Sequence, residues 1–271
     1  MSLENPSISF IGAGNMGEAM LRGLAKAGLP ASRLRAFDVR QERLQALAAE
    51  TGFNAHFDLA SAVHSADVVV LATKPQSFGE LLGHLAPLLK PPQVVVSIAA
   101  GVRLARLEAA FGPAQPLIRV MPNTPGLIGQ GISAYCLGAS ATEAHAQLAE
   151  LILRPLGQVL RVAESDMDAV TALSGSGPAY AFLFMEALQS AGVTLGLSEQ
   201  ASFDLAAQTL LGAAAMIQAR QKSPADLRVA VTSPGGTTAA ALKVFEDAGF
   251  RDLVQRALIA ARDRSVELGQ G

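Results

Sequence analysis

The segment from residue 7 to residue 38 constrains the fold most, because it combines a strand, a glycine-rich turn, a helix and a second strand. Residues 7–11 predict the first strand, residues 15–27 the helix, and residues 34–38 the second strand. The turn before the helix has the pattern G-x-G-x-x-G. A helix that starts at such a turn presents free N–H groups to a phosphate. The pattern therefore predicts a dinucleotide site at Gly12, Ala13, Gly14, Asn15, Met16 and Gly17.

Two charged residues follow the second predicted strand. Asp38 stands about 20 residues after the glycines, where a carboxylate is expected to bind the adenosine ribose. Asp38 favours the free 2′-hydroxyl of NADH, whereas Arg40 can pair with the 2′-phosphate of NADPH. These residues leave the choice between the two cofactors open.

Apolar strands continue to alternate with helices as far as residue 161. Such an alternation predicts a parallel sheet that is covered on both faces. The N-terminal half is therefore predicted to be an α/β Rossmann domain with a doubly wound, mostly parallel sheet. The further predicted strands are 67–72, 93–98, 116–120, 131–137 and 158–161, and the further helices are 43–50, 78–89 and 143–153.

From Glu164 onward the sequence predicts helices only. A boundary near residue 162 therefore separates an NAD(P)-binding domain (1–162) from an all-α dimerisation and substrate-binding domain (163–271). The segments 179–188 and 205–217 are apolar nearly all the way round, and we expect a homodimer to bury them. The predicted helices are 178–191, 199–219, 224–231, 237–248 and 250–268.

Composition limits the partners and the location of the chain. Half of the residues are hydrophobic, yet no apolar run reaches the ~18 residues that span a bilayer, so no membrane is expected. Residues 1–6 lack a basic region followed by an apolar stretch, and a cytoplasmic location is expected. A net charge of −2 without a basic cluster predicts no nucleic-acid partner. Cys136 is the single cysteine, and we expect it to pack as a small hydrophobic residue.

Missing residues exclude several kinds of reductase chemistry. The four histidines lack metal-ligand spacing, so no metal is expected. Tyr135 and Tyr180 are not followed by Lys four residues later, and segment 175–182 has no Lys of the kind that hydroxyacid dehydrogenases use. An imine that enters already protonated needs little acid catalysis. The shortage of acids therefore favours reduction of a C=N bond.

Two glycine-containing turns before helices are candidate substrate sites. Thr232-Ser-Pro-Gly-Gly-Thr-Thr238 offers backbone N–H groups and hydroxyls that suit a carboxylate, although an ordinary capped loop has the same composition. Leu173-Ser-Gly-Ser-Gly-Pro-Ala-Tyr180 repeats this arrangement. The candidate substrate-binding residues of the two turns are Ser176, Gly177, Ser233, Gly235, Gly236 and Thr237.

Six sequence blocks make the chain resemble the pyrroline-5-carboxylate reductases from end to end. The more specific blocks are Arg119-Val-Met-Pro-Asn-Thr-Pro125, 173–180 and 232–238. The others are Phe10–Gly17, Thr73-Lys-Pro-Gln76 and Ser97-Ile-Ala-Ala-Gly-Val102. The resemblance implies reduction of 1-pyrroline-5-carboxylate to L-proline with NADPH, or with NADH as the second choice. It also implies a helical domain that interlocks with a second copy, and dimers that often assemble into larger rings.

The resemblance also implies roles for individual residues. Thr238 would bond the substrate nitrogen as the catalytic residue, and Ser233, Gly236 and Thr237 would hold the carboxylate. Glu164 matches a position close to the substrate. The matched cofactor contacts are Ala72, Thr73, Lys74, Pro75, Ala99, Ala100, Gly101 and Asn123.

The chain departs from the family pattern at three positions, and two other functions stay open. Thr73 stands where Val is usual, Leu59 where Asn is frequent, and Asp38 where members that prefer NADPH carry Ser or Thr. One alternative function is a β-hydroxyacid dehydrogenase, which would need the missing Lys. The other is a sensor that binds NAD(P)H without turnover and needs no polar substrate turn.

Overall fold

A computed structural model describes residues 5–219 and 222–269, which divide into two compact units. One unit comprises the described residues of 1–176 and 261–271, and the other those of 177–260. The sequence expectation about a leader concerns residues 1–6, of which only residues 5 and 6 are among the described residues. The domain boundary near residue 162 stays a prediction. The boundary between the two compact units follows Ser176, which is 14 residues later. Met167, between these positions, belongs to the buried core of the first unit.

The first unit is built on an eight-stranded sheet with the order β3-β2-β1-β4-β5-β6-β7-β8. Neighbouring strands are parallel except β6 and β7, which are antiparallel. The predicted fold class, a mostly parallel doubly wound sheet followed by helices, is confirmed. The strands are β1 Ile8–Ile11, β2 Leu34–Phe37, β3 Asn54–His56, β4 Val68–Leu71, β5 Val94–Ser97, β6 Leu117–Met121, β7 Gly131–Leu137 and β8 Gly157–Arg161.

Within the described residues up to Ser176, seven helices accompany the sheet. They are α1 Asn15–Lys26, α2 Gln41–Thr51, α3 Leu59–Val63, α4 Phe78–Leu85, α5 Leu104–Phe111, α6 Glu143–Leu153 and α7 Met167–Val170. A π-helical turn, Thr171–Gly175, follows α7. The sequence did not predict β3, α3, α5 or α7. β3, α3 and α7 have only three to five residues each, too few for a periodic pattern, whereas the helical spacing of Leu104, Leu107 and Phe111 in α5 was missed.

Both faces of the sheet are buried, as the continuous apolar strands predicted. Val68 and Val70 of β4 pack in one core cluster with α1, α2 and α6. Val69 and Leu71 of the same strand pack in the second cluster with α3, α4 and α5. Cys136 belongs to the second cluster, and burial, followed by the nearby charge of Glu164, raises its pKa to about 12. Its predicted role as a small hydrophobic residue is confirmed.

The order of the strands determines where a ligand can bind. The chain moves from β1 outward to β2 and β3 and then returns to place β4 on the other side of β1. In open α/β sheets a ligand binds outside the carboxyl ends of the strands, at the point where the order reverses. That point lies between β1 and β4, where the glycine-rich turn leaves β1.

The second unit is helical. Its helices are α8 Gly177–Thr194, α9 Glu199–Gln218, α10 Pro224–Ala230, α11 Thr237–Asp247 and the first half of α12 Phe250–Leu268. Side-chain hydroxyls define two helix starts: Ser198 bonds the N–H of Ala201, and Ser223 bonds the N–H of Asp226. No helix in residues 5–219 or 222–269 is long and apolar enough to cross a membrane.

Candidate active site

The glycine-rich turn passes between β1 and α1 with little space for side chains. The N–H of Gly12 donates to the carbonyl of Phe37 at 2.7 Å, and Gly12 has a φ of +106°. A Cβ atom at Gly17 would collide with the carbonyl oxygen of Gly12. Only glycine at position 17 lets the first turn of α1 approach β1 so closely. The turn therefore holds the start of α1 firmly at the carboxyl edge of the sheet.

Gly14, in contrast, faces open space. It is the residue before α1, and no side chain caps the helix. The nearest atom to a Cβ at Gly14 would be Nη2 of Arg40, 3.9 Å away. An uncapped helix N-terminus with open space in front of it and a guanidinium nearby fits a pyrophosphate.

Asp38 is only 7% exposed, and its carboxylate bonds groups of its own chain. It accepts the N–H of Ala13 at 2.8 Å, the N–H of Arg40 at 2.9 Å, and the Arg40 guanidinium at 3.1 and 3.2 Å. Burial raises the pKa of Asp38, but the hydrogen bonds from Arg40 and Ala13 lower it by a larger amount. The net pKa therefore lies below its ordinary value. The carboxylate is ionised at neutral pH and orients Arg40 beside the turn.

Two cavities lie along this edge of the sheet. One cavity, of about 480 Å³, is lined by residues that follow β1, β4 and β5. The other, of about 330 Å³, lies over the ends of β1 and β2. Thr73 lines both cavities. The larger cavity is lined by Gly14, Asn15, Met16, Arg40, Ala72, Thr73, Lys74, Ile98, Ala99 and Ala100. The smaller is lined by Ile11, Gly12, Phe37, Asp38, Val39, Leu59, Thr73, Ser77, Glu80, Leu81 and His84.

The structure thus brings most of the predicted cofactor residues together at one edge. Ala13 and Gly17 belong to the same turn, and Pro75 starts a short 3₁₀ turn after β4. Gly101 follows β5 with a φ of +77°, and a Cβ there would lie 3.2 Å from Cβ of Leu268. Gly101 therefore contacts the end of α12 and does not line either of the two cavities.

Asn123 lies just beyond β6 and connects two neighbouring segments. Its Oδ1 accepts the N–H of Ile132 at 3.0 Å, and its Nδ2 lies 3.3 Å from Oγ and 3.4 Å from the carbonyl oxygen of Ser174. Ser174 belongs to the π-helical turn, which is closed by a bond from the N–H of Ser176 to Thr171. Single π turns inside helices are frequent at functional sites. Asn123 thus fixes the turn that leads to Ser176.

Glu164 bonds to the start of α5 and to a buried cation. Its Oε1 accepts the N–H of Leu104 at 2.7 Å and lies 3.3 Å from Nη1 of Arg119. Arg119 is 3% exposed, and Nη2 lies 3.8 Å from Asp168. Sequence reasoning missed this role of Arg119, although a single Arg within the apolar strand β6 indicates a buried, paired charge. Asp168 in turn accepts a 2.7 Å bond from the hydroxyl of Ser265.

The turn at 232–238 belongs to the second unit and ends at the start of α11. Gly235 has a φ of +72°, and a Cβ at Gly236 would collide with the Ser233 hydroxyl. The N–H of Gly236 donates to the carbonyl of Ser233 at 3.1 Å, so the turn itself uses that N–H. The first N–H groups of a helix have no partner within it, which leaves those of Thr237 and Thr238 for a ligand. This arrangement fits a carboxylate.

Thr238 stands in the first turn of α11 and is partly buried. Lys243, which lies in the same helix, is exposed and bonds Asp247 at 2.7 Å. The predicted substrate residues from 233 to 238 therefore share one short segment of the second unit, whereas the predicted cofactor residues belong to the first. Ser176 is the last residue of the first unit before Gly177 begins α8 of the second.

Comparisons with protein families cover both halves of the chain. Residues 164–268 match the family described as "Pyrroline-5-carboxylate reductase dimerisation". Residues 7–101 match the family described as "NADP oxidoreductase coenzyme F420-dependent". The matched ranges coincide with the helical region and with the strands that carry the glycine-rich turn.

Individual relatives match the chain over nearly its whole length. The pyrroline-5-carboxylate reductase of Pseudomonas aeruginosa is 46% identical over 269 residues, which cover 99% of this chain and 98% of that protein. The solved structure of a Coxiella burnetii pyrroline-5-carboxylate reductase has a TM-score of 0.93 at 38% identity and covers 98% of this chain and 99% of that chain. The Plasmodium falciparum pyrroline carboxylate reductase structure with NADP bound has a TM-score of 0.89 at 32% identity, covering 99% and 100% of the two chains.

Proposed function

The chain belongs to the pyrroline-5-carboxylate reductase family, and on that premise we propose how its residues reduce 1-pyrroline-5-carboxylate to L-proline. The enzyme is an NAD(P)H-dependent oxidoreductase. NAD(P)H supplies a hydride to the carbon of the C=N bond. The observation that carries the proposal is the cavity of about 480 Å³ that joins the uncapped start of α1 to the residues after β4 and β5.

The proposed cofactor site follows the carboxyl edge of the sheet. The pyrophosphate binds the N–H groups at the start of α1, where Gly14 leaves open space. Arg40 supplies positive charge beside that turn, while the residues after β5 contact the nicotinamide half. Asp38 orients Arg40 and supports the turn through Ala13. Because Arg40 neutralises the charge of Asp38, the site can bind either NADPH or NADH.

The proposed substrate site is the turn at the start of α11. The carboxylate binds the N–H groups of Thr237 and Thr238 and the Ser233 hydroxyl, with Gly235 and Gly236 giving the turn its shape. The Thr238 hydroxyl bonds the ring nitrogen and holds the imine in place. The substrate arrives protonated on nitrogen, so the residues need only orient the imine and exclude water.

The proposed site also depends on residues that hold its loops in place, which are Glu164, Asn123, Ser176 and Gly177. Glu164 fixes the N–H of Leu104, three residues after Gly101, and thereby the loop that contains Ala99 and Ala100. Asn123 fixes the π-helical turn before Ser176. These contacts support a role in holding the loops near the reacting groups.

We also propose that the protein is a homodimer in the cytoplasm, with larger rings of dimers as a further assembly. The dimerisation family matched at residues 164–268 supports self-association. Helices of the second unit expose many large apolar side chains, and a second copy would bury them. They include Phe182, Leu183, Leu205, Leu211, Met216, Val244 and Leu253. An unpaired, buried Cys136 agrees with a reducing compartment.

Membership of a reductase family disfavours the two alternatives. A β-hydroxyacid dehydrogenase would need a Lys in segment 175–182, which has none. A sensor of NAD(P)H would need no turn like that at 232–238.

Purified protein tests the proposed function directly. Oxidation of NADPH or NADH, followed at 340 nm, should require 1-pyrroline-5-carboxylate, and amino-acid analysis should find one L-proline for each cofactor oxidised. A pyrroline ring without the carboxylate should be a poor substrate if the 233–238 turn binds that group. Cofactor binding without any turnover would contradict the proposed activity and favour the sensor.

A further inference from the structure

Thr73 has a buried hydroxyl that lacks a partner. Its Oγ1 has almost no contact with solvent, and it makes no hydrogen bond within the described part of the chain. A buried polar atom without a partner destabilises a protein, so such atoms are rare unless a ligand or water completes them. Thr73 lies two residues after β4, beside the point where the strand order reverses.

The position of Thr73 points to the ADP half of the dinucleotide. The cavity of about 330 Å³ contains Thr73 and the ends of β1 and β2, and the adenosine of a dinucleotide lies on this side of the glycine-rich turn. Leu59 and Leu81 give this cavity apolar surface, on which the adenine ring can pack. Thr73 also lines the second cavity, which contains the start of α1 where the pyrophosphate binds.

Resting on the proposed function, we propose that the Thr73 hydroxyl donates a hydrogen bond to an oxygen of the ADP half of the cofactor. Thr73 lines both cavities, and rotation about its χ1 moves Oγ1 among three staggered positions, so the hydroxyl can turn toward a cofactor oxygen. The bond satisfies the unpaired hydroxyl only when the cofactor is bound. Thr73 is therefore a residue that adds affinity for both NADPH and NADH and does not distinguish them.

Thr73→Val tests this proposal because valine has nearly the same shape and lacks only the hydroxyl. Calorimetric titration should show a Kd about 3- to 10-fold higher for NADPH and for ADP, which is the contribution of one neutral hydrogen bond. The Tm of the cofactor-free variant should equal or exceed that of the wild type, because no partner is lost. Thr73→Ser keeps the hydroxyl and should bind ADP within about twofold of the wild type.

Ser133→Ala is the matched control. Ser133 is 1% exposed in β7, and its buried hydroxyl also finds no partner among the described residues, but it lines neither cavity. Its removal should leave both Kd values unchanged.

Several outcomes would overturn the proposal. Unchanged Kd values in Thr73→Val, a loss for NADPH without a loss for ADP, or a serine variant as weak as valine would each do so. A lower Tm of cofactor-free Thr73→Val with wild-type Kd values would give the hydroxyl a structural role instead. Wild-type protein that binds neither NADPH nor NADH would overturn the proposed function itself, and the Thr73 contact with it.

Discussion

The carboxylate of Asp38 accepts a 2.8 Å hydrogen bond from the backbone N–H of Ala13, which lies 25 residues earlier in the chain. This bond connects the end of β2 to the glycine-rich turn after β1. The same carboxylate holds the guanidinium of Arg40 at 3.1 Å. The residue that sequence reasoning assigned to the cofactor ribose therefore also supports the turn and orients a cation beside it.

This arrangement predicts opposite effects of Asp38 and Arg40 on cofactor choice. Arg40→Ala should lower the ratio of kcat/KM for NADPH to that for NADH, because the 2′-phosphate loses a cation. Asp38→Ser should raise the ratio, because a negative charge near the phosphate is removed. Asp38→Ser should also weaken both cofactors, since the Ala13 N–H loses its acceptor.

Steady-state kinetics with both cofactors measures this ratio. Arg22→Ala is the matched control, because Arg22 is a cation on α1 of similar exposure, 44% against 54% for Arg40, that pairs with Glu18 and Glu50. If the ratio stays constant in both the Asp38 and the Arg40 variants, neither residue contacts the 2′ position.

Gly14→Val should abolish cofactor binding without unfolding the protein. Apart from its neighbours along the chain, the nearest described atom to a Cβ at Gly14 is Nη2 of Arg40 at 3.9 Å, so the cofactor-free fold can hold the side chain. The pyrophosphate needs the same space. Gly83→Val is the control for a new β-branched side chain on a helix. Gly83 is exposed in α4, and beyond the helix backbone no described atom lies within 4 Å of a Cβ there.

Calorimetric titration with NADPH and thermal unfolding together test the Gly14 prediction. Wild-type affinity in a folded Gly14→Val protein would place the pyrophosphate elsewhere.

Glu164→Gln should weaken cofactor binding and lower stability moderately. The amide oxygen can still accept the N–H of Leu104, but buried Arg119 loses a charged partner 3.3 Å away. Because the Glu164 side chain is 37% exposed, solvent screening limits the loss of unfolding free energy to about 1–2 kcal/mol. The bond to the Leu104 N–H changes from charge-assisted to neutral and weakens, and the looser loop before α5 should raise the KM for NADPH more than the KM for the imine.

Glu143→Gln is the control for Glu164, because Glu143 and its partner Arg161 are 70% and 49% exposed. It should change stability by less than about 0.5 kcal/mol. A Glu164 variant that raises the KM for the imine substrate alone would show direct substrate binding instead of a positioning role.

The exposed apolar side chains of the second unit predict a dimer or a larger assembly. Sedimentation at micromolar concentration should give at least twice the 28.0 kDa chain mass. Leu183→Glu, at a site 66% exposed on α8, should favour the monomer, because a charge cannot be buried in an apolar interface. Ile128→Glu, at a 78% exposed site in the first unit, should leave assembly intact. A wild-type monomer would contradict the proposed homodimer.

The sequence predicted most of the fold because the relevant patterns are local. Val68–Leu71 and Val94–Ser97 are continuous apolar runs, and the glycine-rich turn fixes the order of β1 and α1. The edge strand β3 was missed because its three residues, Asn-Ala-His, have no apolar period. Its place beside β2 depends on tertiary pairing, to which no local pattern points.

The site was predicted less completely, since its contacts join residues that are distant in sequence. The pairings of Asp38 with Ala13 and of Glu164 with Leu104 span 25 and 60 residues. The bond from Gly236 to Ser233 is local, yet the sequence did not show that the turn would use this N–H itself. Residue type indicated which groups can bind a ligand, and only the fold determined which of them are already bonded.

Thr238 carries the most specific prediction about catalysis. Its hydroxyl lies one residue beyond the N–H of Thr237, in the first turn of α11, where a substrate whose carboxylate binds the turn would bring its ring nitrogen. Thr238→Ala should lose one hydrogen bond worth ~1–3 kcal/mol, so kcat/KM should fall roughly 5- to 150-fold. The Kd of NADPH and the sedimentation coefficient should not change, because Thr238 makes no proposed contact with the cofactor.

Thr238→Ser and Thr238→Val separate hydrogen bonding from packing in this prediction. Serine keeps the hydroxyl and should recover most of the activity, whereas valine keeps the shape and should be as slow as alanine. Steady-state kinetics with the pyrroline carboxylate at saturating NADPH measures all three variants, and far-UV circular dichroism checks that α11 still forms. Valine with wild-type kcat/KM would remove the hydroxyl from the mechanism, and serine as slow as alanine would assign Thr238 a packing role.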